Sequence, residues 1–111
     1  MTTRDYSDRQ EKYIAKIIGG KVQSNSGGTK FGGGDVHTKH FLIEAKTPTK
    51  EQTSFTIKKE WMDKMRMQAF EQGKQQSVLA FKFSPWEDKN YYVLDEAQFL
   101  LFLNYMEGYY G

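Results

Sequence analysis

The chain contains no cysteine. Disulfide frameworks and thiolate zinc sites are thereby excluded, and nothing in the composition indicates secretion. Only two histidines are present, His37 and His40, and they form no ligand pair with other histidines, so a zinc site is not expected. Proline also occurs twice, at Pro48 and Pro85, where it suits the end of a strand and a turn. No apolar run approaches the length of a signal-peptide core or a membrane span, so a cytoplasmic protein with no membrane partner is expected. The 111 residues suffice for one α/β domain over 1–111, with a modest core and no room for a second.

Charge is scarce as a net quantity but uneven in its placement. The formal net charge is +2, yet residues 1–74 hold 14 Lys/Arg against 9 Asp/Glu, while residues 75–111 hold 2 against 5. A basic amino-terminal part suits a polyanionic partner, although ordinary surface charge gives the same excess.

Residues 5–18 carry an apolar stripe of Tyr6, Tyr13, Ile14, Ile17 and Ile18, which predicts a helix stopped by Gly19-Gly20. Lys21 to Asn25 reads as a short edge strand. Five glycines follow between Ser26 and Gly34, a composition that lets backbone amides approach a phosphate. The Gly-Lys-Ser/Thr ending of a P-loop is missing there, so no nucleotide cofactor is expected.

Val36 and Phe41-Leu42-Ile43 are strand formers on either side of the polar group Thr38-Lys39-His40, which predicts a hairpin. A two-residue turn sets Asp35 opposite Glu44; a four-residue turn sets it diagonal to Glu44. Either register places Asp35, Glu44 and Lys46 on one face, with the carboxylates about 5–8 Å apart. Such a pair repels itself unless a cation lies between. Two carboxylates and a backbone carbonyl suit Mg²⁺ or Mn²⁺, and Lys46 on the same face is placed to hold an attacking water. Charge inside the apolar run Phe41 to Lys46 is unusual for a buried strand. A cross-strand ion cluster is the structural alternative.

Farther on, Ile57, Trp61, Met65 and Ala69 recur every fourth residue, with Met62 and Phe70 beside them, predicting a helix from Ile57 to Gln72 closed by Gly73. A strand over Val78–Phe83, a turn and a hairpin partner over Tyr91–Leu94 follow. Asp95 and Gln98 then form a capping-box pattern. The last helix, to about Glu107, is apolar on Phe99, Leu100, Phe102, Leu103 and Met106, wider than one stripe, as befits a core helix or a subunit interface.

In the order of these parts the chain resembles the PD-(D/E)XK nuclease superfamily. Within it, the chain looks like archaeal-type Holliday-junction resolvases and their small phage-encoded relatives. The resemblance runs through Glu11, Gly19-Gly20, Val22 to Gly28, Gly34-Asp35, Glu44-Ala45-Lys46, Ser54 to Trp61 and Ser77 to Phe83. Gly34 stands where the superfamily name has proline. The resemblance implies a restriction-endonuclease-like core, a mixed central β-sheet flanked by helices. It also implies cleavage of branched DNA with Mg²⁺ or Mn²⁺ to leave 5′-phosphate and 3′-hydroxyl, and a homodimer matched to the two strands of a four-way junction. Asp35, Glu44 and the Ala45 carbonyl would bind the metal, Lys46 would assist the water, and Glu11 would support them. Ser24, Ser26, Lys30, Lys58 and Lys59 would touch DNA. Two other readings are a nuclease of flaps, nicks or duplex ends, and a non-catalytic DNA-binding or packaging accessory protein.

Overall fold

A computed structural model describes residues 3–23 and 35–110. The first helix, α1 (Thr3–Ile18), closes at Gly19, whose φ of +70° is the left-handed conformation that glycine adopts freely. Gly20 then donates its N–H to the Ala15 carbonyl. A Cβ at Gly20 would stand 2.7 Å from the His37 carbonyl oxygen, so the chain can leave α1 this close to β2 only with no side chain at that position.

Five strands follow the chain across one sheet: β1 (Lys21–Val22), β2 (Asp35–His37), β3 (Phe41–Lys46), β4 (Gln76–Phe81) and β5 (Tyr91–Val93). The first three pair antiparallel, β3 and β4 pair parallel, and β4 and β5 return to antiparallel pairing, so the sheet is mixed. The parallel step needs a crossover, and α2 (Lys59–Glu71) supplies it. This helix starts two residues later than its periodicity suggests. Ile57 lies before it and is exposed, and Phe70 is 85% exposed rather than on the packed face, because only Met65 and Ala69 reach full burial.

The period of two sorts the strands between two layers. Val36, Ile43, Ala45, Val78 and Ala80 form the face that packs with Ile14 of α1. Leu42 and Leu79 point the other way, are fully buried, and lie on the side crossed by α2. Since β4 is covered on both faces, Ser77 to Ala80 is buried without alternation. The result is an α/β fold with a mixed sheet flanked by helices. Among the described residues, no helix is long and apolar enough to cross a membrane.

The turn after β4 is fastened to α1. The Arg9 guanidinium donates to Asp88 at 2.9 Å and to the Trp86 carbonyl at 3.0 Å, and the rings of Tyr6 and Trp86 meet edge to face. The hydrogen bond from Arg9 holds the Asp88 carboxyl below the ordinary carboxylate range.

The last helix, α3 (Glu96–Tyr110), opens with the expected capping box: the Gln98 N–H donates to Asp95 Oδ1, and the Asp95 N–H donates to Gln98 Oε1. Gln98 also donates to the Ser77 carbonyl, and Arg66 pairs with Asp95 at 2.7 Å. Past this tethered turn, and among the described residues, α3 packs its backbone on no other helix or strand, so among them it is not a core helix.

Candidate active site

The hairpin takes the two-residue turn. Thr38 donates its N–H to the Phe41 carbonyl and accepts the Phe41 N–H on Oγ1, which leaves Lys39 and His40 at the bend and sets Asp35 directly opposite Glu44. The Asp35 carbonyl accepts from Gln23 in the direction of β1, so the backbone groups of Asp35 face away from β3. Asp35 and Glu44 are therefore a non-hydrogen-bonded pair, the kind that brings cross-strand side chains closest, with Cα atoms about 4.5 Å apart. Asp35 is 1% exposed, and the Glu44 side chain is 13% exposed.

Lys46 extends from the same face. Its Nζ lies 3.5 Å from Glu44 Oε1 and 4.5 Å from the centre of the Trp61 ring, so one carboxylate and one aromatic face of α2 hold the ammonium. The Lys46 backbone is fixed from the other layer. Gln10, fully buried on α1, donates to the Lys46 carbonyl at 2.9 Å and to Asn90 Oδ1 at 3.0 Å.

The donor set suits a hard divalent cation. The described ladder between β2 and β3 ends at the pair of acids, and the alternation of the backbone turns the next carbonyl, that of Ala45, to the β2 side of β3. Two carboxylates and a carbonyl then lie together, all oxygen donors of the class that Mg²⁺ and Mn²⁺ take. Glu11 is buried in α1, on the far side of the sheet from Trp61. Among the described residues, no three His, Asp or Glu side chains form a metal-holding group.

The predicted DNA contacts separate. Lys58 lies 5.7 Å from the centre of the Trp61 ring that also carries Lys46. Lys59 is turned to an exposed ion pair with Asp63 at 2.7 Å. Ser24, Ser26 and Lys30 lie outside the described residues. His37 is on the Asp35 face with its ring 3.4 Å from Lys74 Nζ, while Lys74 donates to the Thr38 carbonyl.

Gln10 and Trp61 are the partners of Lys46 that sequence patterns did not single out for the site. A signal for Gln10 existed: an uncharged polar residue four positions before Ile14, in line with the helix's buried stripe. Trp61 read as core from its spacing. It is core on one side and a seat for Lys46 on the other.

Compared with family models, curated proteins and solved structures, the chain matches none. What fold and site define together is an α/β chain with an acid pair and a lysine at the end of a mixed sheet.

Proposed function

We propose that the protein is a metal-dependent, structure-selective DNA endonuclease with a restriction-endonuclease-like core. Its substrate is branched DNA, a four-way junction above all, which it cuts as a homodimer by paired symmetric nicks. The reading is carried by one observation: Asp35 faces Glu44 in the close type of strand pair, with Lys46 on the same face.

Asp35, Glu44 and the Ala45 carbonyl would hold Mg²⁺ or Mn²⁺. When bound, the cation supplies Lewis-acid stabilisation of phosphate charge and a lowered pKa for water. Lys46 orients the attacking water and donates to the phosphoryl oxygen as charge builds on it. Trp61 and Glu44 keep that ammonium from wandering, and Gln10 keeps its backbone in register. Water forms the new P–O bond as the bond to O3′ breaks, which yields a 5′-phosphate and a 3′-hydroxyl. Lys58 meets the DNA backbone beside the cut. A supporting role for Glu11, held one turn from the core residue Ile14, belongs to the same reading.

The test is cleavage of an end-labelled immobile four-way junction beside linear duplex of the same sequence, with Mg²⁺ and with EDTA. Paired symmetric nicks in the junction alone, abolished by EDTA, are expected. Cutting of flaps or duplex ends in preference would change the substrate class. Absence of cleavage with either metal by folded protein would leave a DNA-binding protein.

A further inference from the structure

The acid pair and its lysine leave one element of the chain without a use. Ten of the fifteen residues of α3 are apolar or aromatic, and they surround the helix instead of lining one side. A helix apolar all round belongs in an interior. Here Leu101 is 62% exposed, Tyr105 69% and Tyr109 70%, and Phe99, Leu100, Phe102 and Leu103 are exposed as well. With about 200 Å² for a fully exposed side chain of this size, the seven expose on the order of 800 Å² around the helix; the side turned to a partner supplies part of the roughly 800 Å² that each partner brings to a standard interface, and the adjoining groove adds to it.

Beside this ridge lies its complement. A groove of about 420 Å³ runs between α3 and the starts of β3 and β4, lined by Phe41, Val78, Leu94, Leu101, Phe102 and Tyr105. A convex apolar ridge and a concave apolar groove adjoin on one surface, so a two-fold axis can seat each copy's ridge in the other's groove. The charge on α3 narrows the choice of occupant. The helix carries Glu96 and Glu107 and no Lys or Arg, which disfavours both DNA phosphate and an anionic lipid surface.

We propose that α3 and the groove beside it are the surface on which a second copy of this chain docks, each α3 completing the other's core. The proposal rests on the dimeric form of the nuclease reading and gives it a location. It places the contact mainly on the acidic carboxy-terminal part of the chain and leaves Asp35, Glu44 and Lys46 outside it.

The test is sedimentation velocity on the full chain at micromolar concentration, for the wild type, Leu101→Glu/Tyr105→Glu and the milder Leu101→Ser, with far-UV circular dichroism as the check on folding. The wild type is expected at twice the chain mass and the folded variants at the mass of one chain. A monomeric wild type, or folded variants that remain dimers, would overturn the proposal. Metal-dependent nicking, assayed on the same samples, separates the two readings. Unpaired nicks from the monomeric variants, where the wild type cuts in pairs, support the interface and the nuclease together. A dimer dispersed by the α3 changes, with no nicking from any form, supports the interface and removes the nuclease.

Discussion

Asp35→Asn and Glu44→Gln each exchange a carboxylate for an amide of nearly the same shape, so they test charge at the site without disturbing the hairpin. Each is expected to lower metal-dependent cleavage by about 10²-fold or more, with junction binding retained in a gel-shift assay because the surrounding lysines are untouched. If both variants lose folding as well as binding, the acids serve as a cross-strand ion cluster. Gln10→Leu addresses Lys46 from behind. It removes a buried hydrogen bond to the Lys46 carbonyl and is expected to cost about 1–3 kcal/mol in a denaturant melt. It should also lower kcat more than DNA affinity, since it moves a catalytic side chain and no phosphate contact. At this scale much of the site was legible. Parity alone puts Asp35, Glu44 and Lys46 on one face, and the two possible turns share that parity. The choice between them was not legible, because Thr38 and Phe41 close the turn through a backbone bond and a hydroxyl that no residue pattern announces. The amide of Gln10 was hidden for a related reason: its partner lies 36 residues away.

Elements whose ends carry their own chemistry were the ones the sequence marked well. Gly19 and Gly73 stop α1 and α2 with positive φ, and Asp95 with Gln98 starts α3. Side-chain burial along α2 was read less well, because Phe70 faces outward although it neighbours the buried Ala69. Periodicity gives the axis of a stripe and not its width. The Asp95 cap allows a test with a sign. Its carboxyl is held below the ordinary carboxylate value first by the Gln98 backbone N–H and further by Arg66. A folded-state pKa below the unfolded one contributes stability above the unfolded value, near 3.9, and that contribution is lost as pH falls through the folded value. Asp95→Asn keeps a capping oxygen and gives up the titrating charge and the Arg66 pair. Thermal melts are therefore expected to show the wild type losing more stability than Asp95→Asn between about pH 5 and pH 2. At neutral pH, Asp95→Ala should cost about 1 kcal/mol. Parallel acid limbs for wild type and Asp95→Asn would mean that the ion pair with Arg66 contributes nothing.

Across the whole molecule, the excess of basic charge and the exposed apolar helix fall in different parts of the chain. Residues 1–74 hold the excess of Lys and Arg, whereas the acidic remainder contains the exposed apolar helix. That division separates two kinds of binding, one driven by phosphate neutralisation and one by burial of apolar area, and salt tells them apart. Association with junction DNA should weaken linearly on a log–log scale as salt rises, with a slope of about −0.9 for each phosphate neutralised on duplex arms. Self-association through α3 should hold or strengthen over the same range, because apolar burial is not screened. The two lysines at the start of α2 make the first half of this specific. Lys58 stands over the Trp61 ring that also seats Lys46, while Lys59 is paired with Asp63. Lys58→Ala is therefore expected to reduce the magnitude of the salt slope by about one, and Lys59→Ala to leave it close to the wild-type value. Fluorescence anisotropy with a labelled junction, titrated at several salt concentrations, measures both. Equal effects from the two substitutions would show that DNA follows the outer face of α2 instead of the Trp61 side, and the cleavage model would then need a different path for the strand past Lys46.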